Sequence, residues 1–276
     1  MELQEYASYD GLGLAELVST KQVSRRELAE CAIEAATKVN GALGAVVETF
    51  DDRVAALDNP LPAEDATAPF GGVPTMVKDL FHGEAGTVCE NGSRLARGWV
   101  APTDTGFSKL IRRSGLVNLG RTTTSEFGIM GTTETLMAGR TCSPWSAERI
   151  AGGSSGGAAA AVGAGIVPVA SASDGGGSIR IPASACGVVG LKPSRGRVTW
   201  GPQAAEPLSG WAVHFMVTRS VRDTAALLDA LAGPMRGDPF EIAAPPRPYR
   251  NEVGAPVEPL RVAYWSTPWS GHDVDP

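Results

Sequence analysis

Two clusters of glycine and serine carry the chemistry available to this chain: GGSSGG, Gly152–Gly157, and DGGGSIR, Asp174–Arg180. A serine hydroxyl attacks a carbonyl only when a base removes its proton. The three histidines, His82, His214 and His272, are scattered along the chain. A lysine is the other candidate base. Lys78 ends the apolar run VPTMVK and sits among Val73, Met76, Val77 and Leu80. Burial there disfavours the ammonium form and leaves a neutral amine able to accept a proton. The competing reading of Lys78 is a surface side chain paired with Asp79. Lys192 in GLKPSRG is a rival base by the same logic.

The glycine clusters admit other readings. A flexible linker does not run straight into an alanine-rich segment such as GGAAAAVGAG. A phosphate cradle of the form G-x-x-x-x-G-K-[ST] needs a lysine that is absent here. GGSSG does match the G-x-S-x-G nucleophile elbow, which needs a buried strand before it and an acid and a histidine after it. The preceding SPWSAERIA is polar, and His214 and Asp223 stand in the reverse chain order. This elbow is the rival hydrolase reading.

These residues must be positioned by alternating strands and helices. SRRELAECAIEAATKVNG reads as a helix with a Ser24/Glu27 capping box, stopped at Asn40-Gly41. ETFDDRVAALDN is a shorter helix, and NPLPAEDATAPFGG a proline-rich loop. VPTMVKDLF, LVNLGRT, IVPVASAS and PLRVAYW read as strands; DTGFSKLIRRSG, GGAAAAVGAG and SVRDTAALLDALAG read as helices. The expected class is α/β with a mixed sheet flanked by helices.

GVPTMVKDLF, AGGSSGGAAAAVGAG, SDGGGSIRIPASACGVVGLKP and TRSVRDTAALLDAL together resemble the amidase signature family. The resemblance runs over most of the chain from about Leu14. It implies a Ser–cis-Ser–Lys triad, with Ser178 as nucleophile, Ser154 as bridging serine after a cis Gly153–Ser154 bond, and Lys78 as base. Lys192 then serves a turn after CGVVGL. Backbone N–H groups from Gly175, Gly176, Gly177 and Ser178 form the implied oxyanion hole. Ser155 is a hydrogen-bond neighbour of the triad or simply a helix N-cap, and Asp174 and Arg180 anchor the loop. The implied activity is hydrolysis of a linear or cyclic amide through an acyl-enzyme, without metal or organic cofactor. Within the family, the tract CGVVGLKPSRGRVTWGP is nearest to bacterial amidases that include 6-aminohexanoate cyclic dimer hydrolases. Two alternatives are an amidotransferase component that feeds ammonia to misacylated tRNA, and an inactive amidase-like interaction module.

Composition narrows the partners. The 276 residues are 43% hydrophobic and 20% charged, with net charge −6. No basic stripe appears, which argues against nucleic acid. The four cysteines are far apart, so neither a metal site nor a disulfide framework is expected. MELQEYASYDGLG lacks the pattern of a signal peptide. The expectation is a reduced cytoplasmic protein, off the membrane, acting on a small-molecule amide and open to forming a homo-oligomer. It is expected to form one amidase-type domain over 1–276, with a helical region at about 10–60 and a catalytic α/β core at about 66–265. Members of this family continue beyond LRVAYW, so the C-terminal side is expected to be incomplete.

Overall fold

A computed structural model describes residues 1–58, 68–265 and 270–271. The chain opens with three helices, α1 (Leu3–Ser8), α2 (Gly11–Ser19) and α3 (Arg25–Leu43). The helical region therefore starts at Leu3 rather than near residue 10. α3 begins as its sequence implies: Ser24 Oγ accepts from Glu27 N at 3.1 Å, and the Glu27 carboxylate accepts from Ser24 N at 2.8 Å. It does not stop at Asn40-Gly41. The Asn40 side chain instead bonds Ala45 N, Val46 N and Val46 O. The helix therefore continues to Leu43 and ends at Gly44, in the left-handed region at φ 59°.

β1 (Val46–Thr49) follows, then the one-turn α4 (Asp52–Ala55) and a 3₁₀ turn to Asp58. The expected single helix over ETFDDRVAALDN thus opens with the last two residues of β1 and is helical only over 52–58. Most of the proline-rich loop, 59–67, lies outside the described residues.

Next come β2 (Pro74–Lys78), α5 (Gly106–Arg113) and β3 (Val117–Thr122). Two small antiparallel ribbons, β4 (Glu134–Thr135) with β5 (Gly139–Arg140) and β6 (Cys142–Ser143) with β7 (Ser146–Ile150), lead to α6 (Gly156–Gly163). Then follow β8 (Val169–Asp174), α7 (Arg180–Cys186), β9 (Val189–Gly190), β10 (Val213–Thr218) and α8 (Val221–Leu231). The six-stranded sheet has the order β1-β3-β2-β8-β10-β9. β2 runs parallel to both β3 and β8, and the other pairs are antiparallel, so the sheet is mixed.

The central strands β2, β8 and β10 are buried along their whole length. Burial on both faces lets PTMVK read as a continuous apolar run rather than an alternating one. α6 and α8 pack on the sheet, α6 through alanines that bring its backbone close. PLRVAYW, expected as a strand, has no regular structure over 259–265 and is exposed. A strand needs a hydrogen-bonded neighbour strand, and this segment joins none of the sheets among the described residues.

Candidate active site

β2 and β8 run side by side in the same direction, so Lys78 and Asp174 both end strands at one edge of the sheet. Asp79 turns away from Lys78. It pairs at 2.9 Å with Arg121, which also binds Glu48 at 2.9 Å. Lys78 is therefore not paired with its neighbour. It is 1% exposed, and its Nζ donates to Ser154 Oγ at 2.8 Å and to Ser173 Oγ at 3.0 Å. Burial pulls its pKa from the ordinary 10.5 to about 7, against the opposing field of Asp174. A lysine so placed is a proton acceptor near neutral pH.

Ser154 is 1% exposed and follows a cis Gly153–Ser154 bond. The corner is tightly packed. A Cβ on Gly153 would meet the Thr132 backbone at 2.5 Å, and one on Gly157 would lie 2.4 Å from Thr123 N. The Thr133 hydroxyl donates to Gly152 O at 2.9 Å and accepts from Gly156 N at 3.1 Å, capping α6 from outside. Ser155 makes no cap bond. Its hydroxyl meets Ser173 N and O, both at 3.3 Å, and so ties the corner to β8.

The second cluster is a turn built on Asp174. This carboxylate accepts from Gly177 N at 2.7 Å and Ile179 N at 3.2 Å, and pairs with Arg180 through two bonds of 2.9 Å. Burial pushes its pKa up, but Arg180 and the two N–H groups outweigh it and hold the carboxyl below its ordinary value. The Gly177 N–H is committed to Asp174, which corrects its expected place as a free oxyanion donor. The N–H groups of Gly175, Gly176 and Ser178 make no hydrogen bond among the described residues. Ser178 is half-buried at the end of this turn, and its hydroxyl likewise has no partner among the described residues.

The rival arrangements are not formed. Lys192 Nζ bonds Pro193 O at 2.6 Å. His214 faces His82, and Asp223 caps α2 by accepting from Gly11 N and Leu12 N. No imidazole of the described residues therefore serves Ser154 as an elbow would require; His272 lies outside them.

Ser171, Ser173 and Thr133 were not singled out by sequence reasoning. The signal for the serines is ASASD: polar residues two apart in a buried strand demand polar partners. A cleft of about 1020 Å³ opens beside the corner, lined by Phe81, Trp99, Phe107, Phe127, Trp200 and His214 among others. None of Lys78, Ser154 and Ser178 lines it. The two regions meet at Phe127-Gly128, where a Cβ on Gly128 would stand 3.5 Å from Ser154 Oγ. Among the described residues no helix is long and apolar enough to cross a membrane.

Residues 27–275 match the family described as Amidase. The 6-aminohexanoate-cyclic-dimer hydrolase of Paenarthrobacter ureafaciens is 41% identical over 258 residues, covering 92% of this chain and 51% of the relative. A solved 6-aminohexanoate cyclic dimer hydrolase complexed with substrate superposes with TM-score 0.85 at 39% identity, covering 92% of this chain and 53% of that one. A glutamyl-tRNA(Gln) amidotransferase component from Thermotoga maritima superposes less closely, with TM-score 0.70 at 29% identity over 89% of this chain and 49% of that one. The chain thus spans about half the length of the curated relatives it matches.

Proposed function

This chain belongs to the amidase signature family, and on that premise we propose that it hydrolyses a carboxylic amide, linear or cyclic, through an acyl-enzyme on Ser178. The observation that carries the reading is the fully buried Lys78 amine, 2.8 Å from Ser154 Oγ and poised near neutrality. Neutral Lys78 takes the Ser154 hydroxyl proton as Ser154 takes that of Ser178. Ser178 Oγ then bonds to the carbonyl carbon, and the negative charge on the carbonyl oxygen is met by the unengaged N–H groups of Gly175, Gly176 and Ser178. Ser154 returns a proton to the amide nitrogen as the C–N bond breaks and the amine or ammonia leaves. Water adds to the acyl ester by the same relay and releases the acid and Ser178. Asp174 and Arg180 hold the turn that presents the donors, and Ser155 fixes the corner to β8.

The amidotransferase reading has the weaker structural likeness of the two. We read the whole as one amidase-type domain, cytoplasmic, and self-associating through exposed apolar side chains. A fluorophosphonate probe tests the proposal. Intact protein should gain one phosphonyl adduct, mapped by peptide mass spectrometry to Ser178. Ser178→Ala should stay unlabelled, and Lys78→Ala should label orders of magnitude more slowly. Labelling elsewhere, or an effect of Lys192→Ala equal to that of Lys78→Ala, would refute it.

A further inference from the structure

The two described histidines take no part in the relay just described, yet they are joined to it. Ser171 Oγ accepts from the backbone N of Lys78 at 2.8 Å and faces His82 Nδ1 at 2.7 Å. His82 Nε2 faces His214 Nδ1 at 2.6 Å. Ser171 is fully buried, and its hydroxyl hydrogen has no acceptor among the described residues other than His82 Nδ1. A buried hydroxyl left without an acceptor is costly, so Ser171 donates to Nδ1. Both imidazoles are held neutral: burial, followed by the Lys78 charge, pulls His82 to about 3, and burial likewise drives His214 well below its ordinary value. A neutral imidazole carries one N–H. His82 with Nδ1 accepting must carry its hydrogen on Nε2 and give it to His214 Nδ1. His214 must then carry its own hydrogen on Nε2.

That Nε2–H has no partner among the described residues, and His214, 2% exposed, lines the large cleft. Its ring lies parallel to Phe107, with centroids 4.8 Å apart, and against Trp200. Phe81, Trp99 and Phe127 add aromatic surface to a wall otherwise made mostly of small and apolar residues. The two ordinarily charged side chains on the walls, Arg97 and Glu206, are of opposite sign. The cleft is also held in a set shape. Phe81, Asn91 and Phe127 line it in the left-handed region, at φ 56°, 53° and 50°. Asn91 ties the other two in place, its side chain accepting from Phe81 N at 3.1 Å and its carbonyl from Phe127 N at 2.9 Å. Bulky residues keep such a conformation only where their surroundings enforce it, most often at binding sites.

We infer that this cleft binds an uncharged apolar chain bearing a carbonyl oxygen, and that His214 Nε2–H is the donor that selects that oxygen. This rests on the amide-hydrolase reading only in treating the bound molecule as the substrate's second functional group. A positively charged donor would favour carboxylates; a neutral one among aromatic rings favours a ketone or second amide carbonyl. His214 also stands opposite Ser173, which holds Lys78 Nζ, so the donor is registered to the reacting corner through the β8–β10 pairing.

The test is binding, measured by calorimetry on the intact chain. The probes are a series of N-phenylalkanamides carrying one ketone oxygen at varied distance from the amide, each paired with its alkyl counterpart. At least one ketone should bind about two- to tenfold more tightly than its counterpart, the worth of one net hydrogen bond. His214→Phe should bring that ratio to about one, and His214→Gln, which keeps an N–H near Nε2, should restore part of it. Imidazole ¹⁵N spectra of the wild-type protein should show His82 and His214 both neutral and Nε2-protonated, a readout that needs no variant. Absence of any ketone preference, its persistence in a folded His214→Phe variant, or an Nδ1-protonated His214 each overturns the inference. Binding with these properties but without hydrolysis would sink the amidase reading and leave this one standing.

Discussion

Lys78 unites a stability cost with a chemical use. Its folded pKa of about 7 lies below the ordinary 10.5. Between those values the unfolded chain binds a proton that the folded chain does not, so stability rises with pH across that window and levels off below about 7. Lys78→Met should flatten this dependence, which urea unfolding at neutral and at alkaline pH measures. The same titration governs the proposed reaction. With chemistry rate-limiting, kcat/KM for an anilide should climb about tenfold per pH unit below about 7 and level off above it. A wild-type stability that falls with rising pH in this window, or a rate that stays level from acid to alkaline pH, would show that Lys78 is not the titrating base.

The burial of Lys78 was open to sequence reasoning because it ends an apolar run, whereas the place of Ser154 beside it came only from the family resemblance. The pairing of His82 with His214 was open to neither. They are 132 positions apart and meet only because β10 lies antiparallel beside β8, a neighbour relation that no local pattern announces.

At the scale of elements, the Asp174–Arg180 turn should separate into a buried and an exposed contribution. Arg180 is 54% exposed, so its ion pair is worth about 1 kcal/mol or less. The bonds from Asp174 to Gly177 N and Ile179 N are buried, and an orphaned N–H costs about 1–3 kcal/mol. Asp174→Ala should therefore destabilise by about 3 kcal/mol and abolish labelling of Ser178, whereas Arg180→Ala should lose under about 1 kcal/mol and keep part of the labelling. Equal losses from both substitutions would mean that the ion pair, not the N–H bonds, holds the turn.

Most elements around this turn announce themselves. α3 has its capping box, β2 is a short apolar run, and α6 follows the glycine corner. Those that stayed hidden lacked a local signal. β10, VHFMVT, carries a histidine within its apolar run. α7 contains Pro182, acceptable only because it lies in the first turn of the helix. α3 overran Asn40-Gly41 because the Asn40 side chain found partners in β1, a tertiary event that outweighed the usual stop.

The whole molecule is distinguished by what its surface leaves uncovered. The core is extensive and the central strands are sealed, yet large apolar side chains stand in solvent: Trp145 at 74%, Leu208 at 72% and Trp211 at 71% exposed. The segment read as a strand adds Leu260 at 74%, Val262 at 81% and Tyr264 at 86%. Isolated exposed apolar residues are ordinary, but a run of them along one segment offers contiguous hydrophobic area. In the sheet, the outer strand β9 is only two residues long, which limits edge pairing there and leaves the 259–265 segment as the stickier feature. The expectation is reversible self-association that grows with concentration. Light scattering coupled to size exclusion, run over a concentration series, reads it directly. Val262→Ser combined with Tyr264→Ser should shift the distribution toward monomer without lowering the unfolding midpoint, because neither side chain is part of the core. Wild-type protein that remains a monodisperse monomer across the series, or a double variant that associates as strongly as wild type, would remove this segment from the account of how the molecule behaves in solution.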